Sequence, residues 1–251
     1  MFLLPASGAQ IALRDPGGAE ELLLHESHSH PIETALALLA RLGGDQADWP
    51  ALVITDFEHL LLSLRARHLG PGMALGFTCP HCQSRAEISF GIADLQNSVS
   101  PRRPAGVTAD AARPGWFRVG EAAFRLPTAA DLAAAAAARD PASVLAENCL
   151  GAGACDRPQR RRIERLMGEM APELSRQIAA ACPDCGAMVE VTLSVPRVVI
   201  AELKRESARI YDEIDLIAST YHWQEAEILA LPQPRRRFYA ERIRRAQARA
   251  A

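Results

Sequence analysis

Four cysteines in two short pairs are the residues of this chain whose type and spacing could do chemistry. The first pair lies in Cys79-Pro80-His81-Cys82 and the second in Cys182-Pro183-Asp184-Cys185. A C-x-x-C spacing lets two thiolates bind one tetrahedral metal ion from a tight turn, and two such pairs complete a four-sulfur site. We therefore predict one zinc ion bound by Cys79, Cys82, Cys182 and Cys185. Because such a site leaves no coordination position open, its predicted role is structural and not catalytic.

Two other interpretations of the cysteine pairs stay open. The pairs could be reduced thiols whose metal site has been lost, or a thioredoxin-like redox centre. Redox chemistry of that kind uses a single C-x-x-C at a helix N-terminus, whereas here two pairs each lie between apolar alternating runs. Outside the pairs, we interpret Cys149 and Cys155 as free thiols and His25, His28 and His30 as parts of a solvated loop.

The residues around the pairs predict the elements that hold them. Apolar and polar residues alternate over 86–92 after the first pair and over 189–195 after the second, which is the period of half-buried strands. Each pair is therefore expected in a β-hairpin. Helical periodicity precedes the first hairpin, with Pro31 at a first helical position and a capping box predicted over 55–58.

Together these patterns predict an α+β fold: a split four-cysteine zinc ribbon of two C-P-x-C hairpins, an inserted small α/β unit, and helical N- and C-terminal flanks. Within the inserted unit, residues 97–114 are rich in Pro and Arg and are interpreted as a linker. One long helix is predicted from Pro196 to about Thr220, and a basic helix from Pro234. The predicted parts are a weakly ordered N-terminus at 1–30, helices at 31–72, the ribbon at 73–95 and 178–195, the inserted unit at 97–175 and a helical C-terminal region at 196–251.

Composition and charge restrict the function classes. The 251 residues are 49% hydrophobic and carry a formal net charge of −2, which gives no global attraction to nucleic acid or membranes. The N-terminal segment lacks the basic start of a signal peptide, and no uncharged run approaches the roughly 18 residues of a membrane span. We expect cytoplasmic synthesis, where cysteines favour metal over disulfides. Since no known catalytic motif is found, we expect a protein that is not an enzyme and has no small-molecule substrate.

Several segments, taken in order, resemble one protein family. They are 30–39, 56–65, the first cysteine pair, 124–132, the second pair with Gly186, and 213–218, 221–231 and 236–239. The family is that of the T4-type baseplate proteins, or baseplate hub assembly chaperones, of contractile phage tails and related contractile injection systems. Glycine is usual in this family directly after both cysteine pairs and at the position of His222, whereas this chain has Gln83 after the first pair.

The resemblance implies a zinc-binding, non-enzymatic role in virion or particle assembly, as a structural component or an assembly chaperone. Its partners would be other baseplate or hub proteins. The protein would be located in the cytoplasm at synthesis or in the baseplate of the assembled particle. The alternative is a zinc-ribbon regulatory protein that binds nucleic acid. Arginine runs at 160–162 and 235–237 favour a solvated face or a protein–protein rim, because they lie at helix ends and the net charge is slightly negative.

The C-terminal region is predicted to bind the partner, because aromatic residues and arginines are the usual anchors of protein interfaces. The predicted partner-binding residues are Tyr221, Trp223, Ile228, Leu229, Arg236, Arg237 and Tyr239. For Trp223 a second interpretation stays open, in which the indole ring fills the core where the long helix turns.

Overall fold

Residues 1–151 and 156–250 are described by a computed structural model, in which helices are combined with small antiparallel sheets, as predicted. The α-helices are α1 Gly18–Glu26, α2 Pro31–Gly43, α3 Ile54–Leu69, α4 Ile92–Asn97, α5 Ala129–Ala136, α6 Pro141–Cys149, α7 Arg157–Met170, α8 Val195–Ser207, α9 Ile210–Tyr221, α10 Glu225–Leu229 and α11 Gln233–Ala250. The strands are β1 Phe2–Leu3, β2 Gln10–Ile11, β3 Gly72–Thr78, β4 Arg85–Gly91, β5 Thr108–Ala109, β6 Trp116–Val119, β7 Ala122–Arg125, β8 Arg176–Ala181 and β9 Met188–Leu193. Within this part of the chain no helix is both long and apolar enough to cross a bilayer.

The chain forms two compact units, each built from two stretches of sequence. The first unit contains Met1–Ala12 and Gln46–Val199, and the second contains Leu13–Asp45 and Ile200–Ala251. All the strands named above belong to the first unit, and the second unit is helical. Both cysteine pairs therefore lie in the first unit.

Two hairpins carry the cysteine pairs, as the sequence predicts. β3 pairs antiparallel with β4, and β8 pairs antiparallel with β9. β9 buries Val189, Val191 and Leu193 and exposes the residues between them, which confirms the predicted alternation. β3 lies beside β9, so the two hairpins are neighbours although about a hundred residues separate them in sequence.

Helix α3 anchors the start of the first hairpin through a buried arginine. The guanidinium of Arg65 donates hydrogen bonds to the backbone oxygens of Gly70, at 2.6 Å, and of Gly72, where β3 begins. Arg65 is only 7% exposed, so its guanidinium binds these carbonyls from the inner side of the turn. The turn between α3 and β3 is thus fixed from inside the unit.

The same helix anchors the second hairpin through a buried glutamate. The Glu58 carboxylate accepts from the backbone N–H groups of Leu174 at 2.7 Å and Ser175 at 3.0 Å, and from the Ser175 hydroxyl, directly before β8. Burial raises the pKa of Glu58, although the three donors oppose that shift. Glu58 and Arg65 are seven residues apart, so one face of α3 holds both hairpins.

The predicted capping box over 55–58 is wrong, because these polar side chains bind distant segments. Helix α3 begins at Ile54, with Val53 as its N-cap residue. The Thr55 hydroxyl donates to the backbone oxygen of Pro172 at 2.8 Å. Three hydroxyl or carboxylate groups in the first turns of α3 therefore serve tertiary structure, and the local pattern that suggests a cap is coincidental.

The prediction of a weakly ordered N-terminus at 1–30 is also wrong. β1 and β2 form a hairpin. In its turn, the backbone N–H groups of Ala6 and Ser7 donate to the buried carboxylate of Asp56, at 2.7 Å and 3.0 Å. Helix α1 occupies much of the remainder. The anchoring carboxylate is 50 residues away from Ala6, so no local pattern reveals it.

The inserted unit has a small core of its own. β5, β6 and β7 form a three-stranded antiparallel sheet, and α7 packs on it. The segment 97–114 is not a linker as predicted, because it supplies β5 and the buried side chain of Val107. The ends of the insertion meet where the Arg176 guanidinium donates to the Ser98 hydroxyl at 2.8 Å. The buried core residues are Val107, Val119, Phe124, Ile163 and Met170.

The single long helix predicted from Pro196 is broken into α8 and α9. Ser207 ends α8, and its hydroxyl donates to the Leu203 carbonyl at 2.8 Å. Such a bond to the residue four positions back competes with the helix ladder and favours bending. Helix α9 ends at Tyr221, and its C-cap residue His222 has a φ of 57°, in the left-handed region. The predicted basic C-terminal helix is confirmed as α11.

Candidate metal centre

The first cysteine pair is held in a tight loop between β3 and β4. The N–H of Cys79 donates to the Ser84 oxygen, and the N–H of Gln83 donates to the Cys79 oxygen, both at 2.9 Å. Gln83 has a φ of 61°, a backbone angle that residues other than glycine rarely adopt. These bonds close the loop and leave Cys79 buried and Cys82 exposed.

The second pair lies in a loop with the same backbone hydrogen bonds as the first. The N–H of Cys182 donates to the Ala187 oxygen, and the N–H of Gly186 donates to the Cys182 oxygen, again at 2.9 Å. Gly186 has a φ of 73°, at the position that corresponds to Gln83. Cys182 is buried and Cys185 exposed, in the same alternation as in the first pair. One backbone arrangement is therefore built twice.

The four sulfur atoms lie within 4.8 Å of one another. Across the two loops, the Sγ atoms of Cys79 and Cys185 are 3.7 Å apart, as are those of Cys82 and Cys182. Four sulfurs at about 2.3 Å from one tetrahedral zinc ion would be about 3.8 Å from each other. All four cysteines are free and not joined in disulfides. The cluster could thus hold a metal ion of this size.

Hydrogen bonds in the loops stabilise thiolates. The backbone N–H groups of Cys185 and of the residue before it lower the pKa of Cys182 to about 6. The hydroxyl and N–H of Ser84 lower the pKa of Cys82. For Cys185, the N–H of Ala187 favours the thiolate, but desolvation and the neighbouring sulfurs outweigh it and raise the pKa to about 12. Four sulfurs so close together retain a proton, which a divalent cation can replace.

Comparison of the chain with protein-family models, with curated proteins and with solved structures finds no match. The class of the site is therefore defined by its own geometry: four cysteine sulfurs at a tetrahedral spacing. An ion bound to all four would have no position open for substrate or water. Among the residues described by the structure, this is the one cluster of at least three His, Cys, Asp or Glu side chains at ligand spacing.

The remaining cysteines and histidines lie apart from this cluster. Cys149 is 2% exposed and free, as predicted, and burial raises the pKa of its thiol to about 11. Cys155 falls outside the described residues. Two of the three histidines predicted in a solvated loop belong to helices or their caps. His25 lies in α1, with its ring 5.2 Å from the ring of Tyr211. His30 is the N-cap residue of α2 and accepts a hydrogen bond through its ring nitrogen. His81 is exposed in the first loop.

Two of the predicted partner-binding residues are fully buried inside the second unit. Ile228 belongs to the apolar core. The Arg236 guanidinium donates to the carboxylates of Glu213 at 2.7 Å and Glu21 at 2.5 Å, and both carboxylates are nearly inaccessible. The structure therefore corrects the predicted interface at Ile228 and Arg236, because neither side chain is accessible to a partner.

Two further predicted residues also make contacts within the second unit. Arg237 is half-buried and pairs with Glu206 at 2.7 Å. Leu229 approaches Gly18 so closely that a β-carbon on this glycine would lie 2.8 Å from the Leu229 backbone. The glycine thus lets α1 and α10 come together. A role for Arg237 and Leu229 in partner binding remains a prediction.

The three predicted aromatic residues form one half-buried stack. The rings of Tyr221 and Trp223 lie at 5.4 Å, and the ring of Tyr239 meets that of Trp223 edge-on at 5.3 Å. The stack packs on the core that includes Ile217 and keeps an accessible side. Trp223 therefore contributes to the core, and its binding of a partner remains a prediction.

Sequence reasoning missed the groups that support the cysteines. Ser84 Oγ lies 3.0 Å from the sulfur of Cys82, and a hydroxyl two residues after a candidate metal-ligand cysteine is the signal that could have revealed it. Glu58 and Arg65, which hold the two hairpins, gave no signal, because apart from the Ser175 hydroxyl their partners are backbone groups, which carry no residue type to read.

Proposed function

We propose that this chain is a zinc-binding, non-enzymatic assembly protein of the baseplate of a contractile phage tail or related injection system. The observation that carries the proposal is the meeting of four cysteine sulfurs, within 4.8 Å of one another, from two hairpins about a hundred residues apart. Such a site joins segments of a scaffold and offers no place for a substrate. The proposed fold name for this arrangement is a split zinc ribbon.

Zinc is the metal that suits this donor set. Tetrahedral thiolate sites in proteins take zinc or iron, and knuckle loops that present two C-x-x-C pairs are typical of structural zinc. Binding of zinc to such sites contributes on the order of 10–16 kcal/mol of apparent free energy. Closing a loop of about 100 residues costs only a few kcal/mol of chain entropy. Zinc would therefore stabilise the pairing of the two hairpins.

The backbone supports the resemblance to the baseplate family at two positions where the sequences differ. This family usually has glycine where the chain has Gln83 and His222. These two residues are the non-glycine residues with positive φ in the described part of the chain. A backbone position in the left-handed region favours glycine, so a glycine pattern in the family is what this geometry would produce.

The first experiment measures the metal. Purified protein should contain about one zinc per chain, and the double variant Cys182→Ser with Cys185→Ser should contain almost none. Cys149→Ala, which changes a buried cysteine outside the cluster, is the matched control and should retain the zinc. Removal of zinc by a chelator should lower the unfolding temperature and open the inserted unit to protease. Full zinc content in the double variant would contradict the proposed site.

The second experiment tests the assembly role. The chain would be co-expressed with the sheath, tube, spike and baseplate proteins of a contractile tail, and complexes would be isolated through a tag on this chain. We expect co-purification of a baseplate protein and incomplete tails when the gene is deleted. Normal tails in the deletion strain would overturn the baseplate role, and specific retention of nucleic acid in place of baseplate protein would favour the regulatory alternative.

A further inference from the structure

The outer face of α11 carries an arginine stripe with one aromatic residue inside it. At about 100° per residue, five side chains of this helix fall within a sector about 80° wide. All five are exposed, and Phe238 is 61% exposed. They are Arg235, Phe238, Arg242, Arg245 and Arg249.

The charges of this stripe lie away from the buried side of α11. The buried face of the helix consists of Arg236, Ala240 and Ile243, together with the half-buried ring of Tyr239. Arg236 is neutralised by two buried carboxylates. The stripe lies on another side of the helix, so its charges do not stabilise the core.

The stripe is only weakly neutralised. Glu241 pairs with Arg245 at 3.2 Å, but both side chains are more than half exposed, and such pairs contribute little. Arg235 lies over the ring of Tyr239 at 5.9 Å and keeps its charge. The stripe therefore presents a net positive charge, although the whole chain has a formal net charge of −2.

Phe238 is set on a rigid base. Its ring meets the ring of Tyr239 at 6.1 Å, and Tyr239 is packed edge-on against Trp223 and Tyr221. An apolar ring that already packs on half-buried neighbours loses less side-chain entropy when it is covered than a free ring would. Aromatic residues and arginines are the side chains that most often dominate the binding energy of protein interfaces.

We infer that this stripe docks an acidic protein segment that carries an apolar side chain for Phe238. Guanidinium groups bind carboxylates through paired hydrogen bonds, which matches the charge of the stripe. Nucleic acid is disfavoured because an extended polyanion would also meet the negative net charge of the whole chain, whereas a short acidic segment contacts the stripe alone. A membrane is disfavoured because a single exposed ring offers little apolar area to lipid.

The inference goes beyond the proposed function and rests on it only in expecting a protein as the partner. It does not require the metal, because the second unit contains no cysteine. Binding would be measured on the full chain with a labelled synthetic peptide of glutamates with a leucine at every fourth position. The same peptide with lysine for glutamate, a 20-base-pair DNA duplex and vesicles of phosphatidylcholine with phosphatidylserine would serve as competing probes.

Two triple variants with the same change of charge make the test specific. Arg235→Gln, Arg242→Gln and Arg249→Gln remove three of the four arginines of the stripe. Arg205→Gln, Arg209→Gln and Arg244→Gln remove the same charge from a separate cleft of about 260 Å³ between α8, α9 and α11. We expect the stripe variant to lose at least tenfold in affinity for the acidic peptide and the cleft variant to lose less than threefold.

The aromatic residue is tested separately. Phe238→Ala should weaken binding of the acidic peptide at least fivefold, and Phe238→Leu should restore most of the affinity. Zinc-free protein that keeps its folded second unit should bind as well as the zinc-loaded chain, which separates this inference from the metal site. Equal losses in the two triple variants, absence of peptide binding, or stronger binding of DNA or vesicles than of the peptide would overturn the inference.

Discussion

The two cysteine hairpins share their loop backbone but differ in the side chains around it. Both loops close with the same pair of 2.9 Å hydrogen bonds and place a left-handed residue one position after the second cysteine. That residue is Gln83 in one loop and Gly186 in the other. The next residue is Ser84 in one loop and Ala187 in the other. The shared backbone hydrogen bonds bring the two sulfurs of each pair together. The side chains that differ between the loops are not required for this.

The anchors of the two hairpins differ even in the sign of their charge. Arg65 donates to carbonyl groups at the start of the first hairpin, and Glu58 accepts from N–H groups at the start of the second. Each anchor has the hydrogen-bonding capacity that its partners need: a guanidinium donor faces carbonyl oxygens, and a carboxylate acceptor faces N–H groups. Helix α3 thus supports both hairpins mainly by satisfying backbone groups, for which either charge serves.

The largest effect should come from removing the anchors. Glu58→Ala would leave three donors without their carboxylate partner, one at buried Leu174 and two at half-buried Ser175, and we expect a loss of about 3–5 kcal/mol of unfolding free energy. Arg65→Ala would leave two carbonyls, for which we expect a loss of about 1–3 kcal/mol. Urea denaturation of the zinc-loaded protein measures both. Hydrogen exchange should show faster exchange first in β8 and β9 for the glutamate variant and in β3 and β4 for the arginine variant.

Two exposed charges on β4 provide the controls for this comparison. Arg85→Ala and Glu87→Ala remove one charge of each sign from the surface of the first hairpin and should change stability by less than about 0.5 kcal/mol. If both anchor variants speed up hydrogen exchange equally in the two hairpins, then neither anchor acts specifically on its own hairpin.

A smaller effect should come from the hydroxyl that one loop has and the other lacks. Ser84→Ala removes the group 3.0 Å from the Cys82 sulfur, and we expect roughly a tenfold weaker affinity for zinc. Ala187→Ser places a hydroxyl at the matching position of the second loop and should strengthen binding in the Ser84→Ala background. Competition with a chromophoric chelator measures both affinities. An unchanged affinity in Ser84→Ala would show that the hydroxyl has no role at the metal.

The smallest effect should come from exchanging the left-handed residues. Gly186→Gln introduces backbone strain without a steric clash, because the space around this glycine is open, and should cost about 1 kcal/mol. Gln83→Gly relieves strain but adds freedom to the unfolded chain, so we expect a gain of about 0.5 kcal/mol. Thermal unfolding of the two variants measures the difference. A loss of stability in Gln83→Gly would mean that the first loop does not need the left-handed region.

The predictable part of this molecule is the part with a short repeat in sequence. The paired C-P-x-C motifs and the alternation after each pair predicted the hairpins and the four clustered sulfurs. What failed depends on contacts between distant residues. Asp56 holds a turn 50 residues away, and Arg236, predicted at an interface, is buried between two glutamates. A side chain that binds backbone groups, or a charge that finds its partner elsewhere in the chain, leaves no periodic pattern to read.

The distance in sequence between the two hairpins is also an interval of time during synthesis. Cys82 and Cys182 are separated by 100 residues, which a ribosome adds in about 5–20 s. For that interval the first hairpin has two thiols and lacks the other half of its site. A dithiol in that state is open to oxidation or to capture by metal ions. The split arrangement therefore makes each nascent chain chemically vulnerable until its second hairpin emerges.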